Sequence, residues 1–465
     1  MKNIIQATTA LKTSRYRAAF LTIILALTGC ETFEALPLPV GPDLRAELEA
    51  PEPGRPRDRQ DAKAAGRLDL NNVALIAARR NPDLRATRLL LPEAQAHAYA
   101  ATLFPDPQIT LSADNPLTAG PGLVTALSLG AAYDIRSLIV RGPAIDAAKL
   151  KSLQTALDLD WRTWQVAQQA RDLYIQLYFT RKKLATLQDQ VTVFQTDYDR
   201  QNRLLKSNDT TLDAFSSALI GLSNGVDQML AARRTAVDLH DQIAALLGLE
   251  PFAVLVLADI EMPKVPDRAA IDQALAGLRD SRPDLLALQA GYRSQDARLR
   301  GAILGQFPSL SIGLTRARDT AGLDTIGLGV SLNLPIFNRN RGAIAIETAT
   351  RARLNTEFQA RLDTTYSDVH ALARRIDLLK EEIRLLDTTA GQLADTVAEA
   401  GDAYQSGDFP SLTFTTMRSS LFAQKVSLID RRQSLWQAAN ALDTLLGERQ
   451  RDGIGAKYLT GNGAR

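Results

Sequence analysis

Polar and apolar positions repeat along this chain with two different periods, and the boundaries between them divide it into blocks. From Ala144 to Ile220 there is neither glycine nor proline, and apolar residues recur at steps of three and four. Leu177, Leu184, Val191, Tyr198 and Leu205 lie seven apart, Leu173, Leu187 and Phe194 fill the companion seam, and Thr180 and Gln201 interrupt it. Heptad spacing predicts a helix packed along its length against another. At about 1.5 Å per residue, a helix from Ala144 to Lys206 spans roughly 95 Å, too long for an ordinary compact domain. A return helix follows through Leu212, Phe215, Leu219, Leu222, Val226 and Met229, then Ala236, Ile243 and Leu247. The same pattern comes back as Ile376, Leu379, Ile383, Leu386, Leu393, Val397, Ala400 and Tyr404.

Elsewhere the period is two. Ile326, Leu328, Val330, Leu332 and Leu334 alternate with Gly327, Gly329, Ser331 and Asn333, and Leu310, Ile312 and Leu314 with Ser309, Ser311 and Gly313. An earlier pair has Ile109, Leu111 and Ala113, a loop from Asn115-Pro116 to Pro121-Gly122, then Leu127, Leu129, Ala131 and Tyr133. Strands of this kind present one apolar and one small polar face. Four such strands cannot close a barrel, and in lipid an open edge leaves backbone groups unpaired, so spanning would require neighbouring chains. A small soluble sheet packed on helices is the other reading of the alternation alone.

Self-comparison organises these blocks. Asn81-Pro82-Asp83-Leu84 recurs as Arg282-Pro283-Asp284-Leu285, Phe104-Pro105 as Phe307-Pro308, and Leu246-Leu247-Gly248 as Leu445-Leu446-Gly447, at offsets of 201, 203 and 199 residues. Three matches in one order at nearly one spacing indicate a tandem duplication. The predicted first repeat, 67–250, holds a helix near Leu70 to Leu103, a strand pair about 106–135 and a helical hairpin about 143–248. The second, 270–449, holds a helix from Ile271 to Leu304, a strand pair about 308–335 and a hairpin about 342–447. A linker, 251–269, joins them, and 450–465 reads as a tail.

The amino terminus carries an address. Lys2, Lys12, Arg15 and Arg17 precede the apolar run Ala18 to Leu27, which closes with Leu27-Thr28-Gly29-Cys30. This resembles a bacterial lipoprotein signal over 1–29, with Cys30, the only cysteine of the chain, expected to take a diacylglycerol and an acyl chain. Glu31 follows rather than aspartate, which fits sorting to the outer membrane. Residues 30–66, rich in proline, glutamate and arginine, read as an extended strap.

Composition narrows the chemistry. The 54 basic and 52 acidic residues are scattered along the chain, which argues against a nucleic-acid footprint. One cysteine and three dispersed histidines leave no disulfide framework and no cysteine/histidine zinc site. Neither a glycine-rich phosphate loop nor a serine nucleophile elbow is present, so neither catalysis nor a further cofactor is expected.

Over nearly the whole mature chain the residues resemble the TolC-type outer-membrane factor family. The resemblance rests on Leu-Asn-Asn-Val-Ala-Leu at 70–75, the junction Leu334-Pro335-Ile336-Phe337-Asn338-Arg339-Asn340-Arg341-Gly342, and Tyr404-Gln405-Ser406-Gly407. The junction wording, with Asp106-Pro107-Gln108 before the first strand, is most similar to the heavy-metal cation-efflux branch. The resemblance implies a mainly α fold with a small membrane β part: a homotrimer whose four strands per chain form a twelve-stranded barrel above a coiled-coil tunnel. It implies a Gram-negative outer-membrane location and a passive exit duct. The expected partners are outer-membrane lipid, a periplasmic adaptor and an inner-membrane pump of the resistance-nodulation-division type. A multidrug or type I secretion duct has the same fold, and a periplasmic adaptor or structural lipoprotein is the reading from a different class.

The resemblance also places the hairpin turns, Lys206 to Asp213 and Ser406 to Thr413, at the periplasmic tip. Asp209, Asp213, Asp402, Gly407 and Asp408 are candidates there, and Thr413 and Thr416 stand where family members often carry aspartates. Pro335, Phe337, Asn338, Asn340 and Gly342 are the candidate strand-to-helix junction.

Overall fold

The computed structural model describes residues 33–46, 67–117, 120–406 and 408–447. Two compact units divide the chain, Met1–Leu44 and Arg45–Arg465. Of the first, residues 33–44 are exposed and contain neither helix nor strand. The basic leader, Cys30 and the 450–465 tail lie outside the described residues.

In the second unit, β1 (Arg67–Leu68) leads into α1 (Leu70–Arg80), α2 (Pro82–Arg88) and α3 (Leu90–Thr102). Strands β2 (Gln108–Asp114) and β3 (Ala126–Asp134) follow, then α4 (Ile135–Lys206) and α5 (Leu212–Leu246). After β4 (Val256–Leu257) come α6 (Arg268–Ser281) and α7 (Pro283–Leu304). Next are β5 (Ser309–Arg318), β6 (Asp324–Asn333), α8 (Arg341–Ser406) and α9 (Ser411–Leu446). The mainly α architecture with a small four-stranded sheet agrees with the sequence reading, and the second repeat follows the first in order, short helices, a strand pair and a long helical hairpin, with two short helices where the first has three.

The structure differs from expectation at four places. The helix expected from Leu70 to Leu103 is three helices, and that from Ile271 to Leu304 is two. Pro82 and Pro283 explain the breaks before α2 and α7, because proline drives its predecessor out of the helical region: Asn81 has ψ 125° and Arg282 ψ 124°. Helix α4 begins at Ile135, not 143, and runs through Pro143 for 72 residues, about 108 Å. Asp134 accepts the Arg136 N–H at 2.9 Å, so strand β3 turns directly into helix. The expected linker instead carries β4, paired in parallel with β1, and buries Ala253 and Leu255.

The repeated motifs of the sequence meet in space. The Asn81 side chain donates to the Leu246 carbonyl at 3.1 Å, and Arg282 donates to the equivalent Leu445 carbonyl at 3.2 Å. Both motifs end on a glycine with positive φ, Gly248 at 67° and Gly447 at 66°. So each repeat closes the base of its hairpin by tying the proline-bearing break to the last turn of the return helix. Arg282 is itself buried in an ion pair with Asp284, 2.7 Å, beneath the ring of Trp161.

Two apolar clusters sit at these bases. Val73, Ala77, Tyr174, Leu177, Ile243 and Leu247 form one; Ile271, Val369, Ile376, Leu435 and Leu442 form its counterpart. The Tyr174 hydroxyl lies between the carbonyls of Leu68 and Ala258, 2.8 and 2.6 Å away, and burial pushes its pKa up to about 12. Arg45, within the expected strap, pairs with Leu249 beside this cluster.

Candidate functional site

The sheet is built for two environments. Its order is β2-β3-β5-β6, antiparallel throughout and without a break in register, and among the described residues β2 and β6 are edges with no strand beside them. Because register is continuous, each row of side chains crosses all four strands on one face. Ile109, Ala131, Leu314 and Leu328 form one such row, and Leu111, Leu129, Arg316 and Ile326 the next. The opposite face carries Thr110, Gly130, Thr315 and Gly327, with Ser112, Ser128, Ala317 and Thr325 beside them. Along β3 the leucines are exposed while Ser128 and Gly130 are half-buried, so the small residues line the inner side of the curve. One face thus suits hydrocarbon and the other water.

The junctions to the helices differ between repeats. After β6 the chain needs seven residues, with Arg339 and Asn340 at φ 46° and 55°, before α8 begins. Asn340 secures this turn by donating to the Ala302 carbonyl at 2.7 Å. Asn338 supplies the carbonyl that accepts the Arg341 N–H, Pro335 is half-buried, and Phe337 is 95% exposed. Gly342 has open space around its α-carbon, so no local contact demands glycine there.

At the other end of the helices the two turns lie side by side. Asp209 sits in the first, next to Asn208 with φ 61°, while Asp213 lies beyond it in the first turn of α5, where the helix dipole favours an acid. Thr211 ends the turn by accepting the Ala214 N–H at 3.2 Å. In the second hairpin α9 starts at Ser411, so Thr413 and Thr416 are helical rather than in the turn. Asp209, Asp213, Asp402, Asp408, Thr413 and Thr416 are all exposed. Gly407 lies outside the described residues.

Beneath this exposed rim lies a buried polar cluster that joins the hairpins. The Tyr404 hydroxyl of α8 donates to Asp197 Oδ1 of α4 at 2.9 Å and accepts from Gln201 Nε2 at 2.6 Å. Gln201 Oε1 in turn accepts from Thr210 at 2.9 Å. Phe414 of α9 stacks on Tyr404 with ring centroids 4.5 Å apart, and the Arg418 guanidinium lies 5.3 Å over Phe194 and 5.2 Å over Phe414. Burial raises the Tyr404 pKa, with the Asp197 charge adding to it, and burial lowers that of Arg418. Asp197 and Arg418 were absent from the sequence-derived candidates. Gln201, the polar interruption of the heptad seam, and Tyr404, in the motif that carries the family resemblance, were the available signals.

The cluster ends a polar line that follows the whole contact between α4 and α9. Trp164 donates to the Thr444 carbonyl at 3.2 Å, Asn440 to the Gln168 carbonyl at 3.1 Å, and Gln437 to Asp172 at 3.1 Å. Lys183 pairs with Asp430 at 3.1 Å further along. No helix among the described residues is long and apolar enough to cross a membrane, so only the sheet has the character of a spanning element.

Residues 272–448 match the family model described as outer membrane efflux protein. No curated protein matches the chain. Among solved structures, CusC superposes with a TM-score of 0.69 at 16% identity, covering 90% of this chain and 99% of its own. The CmeC outer membrane channel of Campylobacter jejuni gives 0.72 at 13% identity, covering 92% and 97%. The outer membrane protein VceC of Vibrio cholerae gives 0.67 at 18%, covering 81% and 96%. At these identities the likeness is one of fold.

Proposed function

Taking the second repeat as a member of the outer membrane efflux protein family, we propose that this chain is one third of an outer-membrane efflux duct. The observation that carries the reading is the open sheet, apolar on one face and small and polar on the other, continuous with helices over 60 residues long. Three copies placed edge to edge complete the backbone pairing that β2 and β6 leave open. The small polar face then lines a water-filled bore, and the helices extend it as a tunnel into the periplasm. No bond-making step is required of any residue. The duct is passive and takes its cargo from a periplasmic adaptor and an inner-membrane pump of the resistance-nodulation-division type.

The cargo reading is heavy-metal cations, supported by the Phe337-Asn338-Arg339-Asn340-Arg341-Gly342 junction wording and by exposed Asp209, Asp213, Asp402 and Asp408 at the tip. Acids repeated around a three-fold axis attract cations and repel one another, which suits a cation-sensitive constriction. Acylation of Cys30 holds the amino terminus on the periplasmic leaflet, each methylene adding about 0.8 kcal/mol of burial.

The test is reconstitution of the purified full-length protein in planar bilayers. Channels should appear, with Asp213→Ala raising conductance or relieving block by divalent cations. A compact monomer in solution scattering, with no channels, would refute the duct. Deleting the gene should raise intracellular metal under metal stress; a change in dye efflux alone would overturn the cargo assignment and leave the duct intact.

A further inference from the structure

The apolar face of the sheet is bordered by different chemistry at its two ends. At the end joined to the helices stand Phe104, Phe307 and Phe337, exposed at 68%, 59% and 95%, with Tyr133 in the row of Ile312 and Val330. At the far end no aromatic residue occurs: none lies between Pro105 and Ala132, nor between Pro308 and Ile336. Membrane barrels commonly carry aromatic girdles at both interfaces, so the far border is held by something else.

What stands there is a pair of arginines. Arg316 shares its row with Leu111, Leu129 and Ile326, which are exposed at 76%, 54% and 73%. Arg318, two residues on, faces Leu127 on one side and Asp324 on the other. Neither guanidinium makes a hydrogen bond or ion pair with any described residue, although Asp324 is directly across from Arg318. Asp319 accepts the Ala321 and Leu323 N–H groups of the loop, and Asp114 belongs to the opposite face. Strand β5 lies between β3 and β6 of its own chain, so an edge-to-edge neighbour does not cover either arginine.

We propose that Arg316 and Arg318 form a docking surface for phosphate-bearing lipid head groups in the outward-facing leaflet of the outer membrane. The inference rests on the barrel reading above. From Leu310 to Arg318 the strand advances about 27 Å, or roughly 20 Å along the membrane normal at a tilt near 40°, close to the height of a barrel's apolar band. The arginines therefore reach the head-group level, where a lipid-facing cation is tolerated, while their stems stay over hydrocarbon. A guanidinium offers a planar fork that matches phosphate oxygens two at a time. Aromatic rings suit the opposite border, where a zwitterionic phospholipid interface presents less net charge.

The full-length protein should be purified in mild detergent from an outer membrane, alongside Arg316→Gln/Arg318→Gln and Arg316→Lys/Arg318→Lys. Native mass spectrometry should find diphosphorylated glycolipid retained by the wild type, at least fivefold less on the Gln pair, and an intermediate amount on the Lys pair. Delipidated wild-type protein should rebind the diphosphorylated glycolipid and not its dephosphorylated form, and millimolar inorganic phosphate should not displace it. Equal retention by the Gln pair, equal rebinding of the dephosphorylated lipid, or displacement by inorganic phosphate each overturns the proposal. Planar-bilayer recording separates this from the barrel reading: a wild-type protein that forms no channels sinks both, whereas a channel-forming one with equal retention sinks the lipid surface alone.

Discussion

Tyr404 shows how one hydroxyl can hold two hairpins. Among the described residues it is the only group that hydrogen-bonds to both Asp197 and Gln201, and all three side chains are buried. Removing the oxygen leaves the Asp197 carboxylate without that donor and Gln201 Nε2 without an acceptor, which costs about 1–3 kcal/mol for each buried group left unpaired. Tyr404→Phe keeps the stack on Phe414, so the loss should be polar and local. Amide exchange should quicken around 197–201 and 400–406, while protection at Ile376 and Leu442 stays unchanged. Uniform loosening of the entire hairpin would show that the hydroxyl is a general packing element and not a clasp at the tip.

At the scale of elements, the duplicated motifs have a mechanical meaning that spacing alone concealed. Asn81 and Arg282 are chemically unlike, yet both tie a proline break to the last turn of a hairpin, because each reaches the carbonyl of an equivalent leucine. Gly248 sits in this joint with φ 67°, and a β-carbon added there would lie 3.2 Å from the Arg80 carbonyl. Gly248→Ala should therefore lower stability by about 1–3 kcal/mol, combining left-handed strain with crowding against backbone. A melting temperature equal to wild type would contradict that account. The paired strands, the hairpins and the duplication were legible in sequence because periods of two and seven report faces that must be buried or wetted. The breaks at Asn81 and Arg282 were legible in principle from the prolines, but apolar periodicity continues across them and masked the change of direction. The two hairpin turns and their acids were placed by the family resemblance and not by a local pattern of their own. The buried Asp197–Tyr404–Gln201 cluster was not legible, because partners about 200 residues apart leave no local pattern. The start of α4 was missed for a similar reason: Gly142-Pro143 reads as a stop, whereas Pro143 is accommodated inside the helix.

In the proposed three-chain ring the internal duplication specifies which helices meet between chains. Inside one chain the outgoing helix of the first repeat, α4, packs along the return helix of the second, α9. If the ring treats the two repeats alike, the outgoing helix of the second repeat, α8, must pack along α5 of the next chain. Both helices hold apolar residues in reserve for such a contact: Leu378 and Leu385 on α8 are 55% and 50% exposed, and Leu219, Leu230 and Val237 on α5 are 44%, 39% and 54% exposed. Leu378 and Leu385 lie seven apart, as do Leu230 and Val237, which is the spacing of a helix seam. Covering the exposed half of two leucines contributes about 1.5–3 kcal/mol at each of three joints, enough to bias whether the ring closes. Leu378→Lys with Leu385→Lys should leave each chain folded, since neither side chain is in the chain's own core, and should shift the mass in light scattering from three chains to one. The same lysines should abolish channel formation even though no tip or barrel residue has changed. A variant that remains trimeric would mean that α8 faces solvent or an adaptor instead, and that the two repeats are not equivalent in the ring.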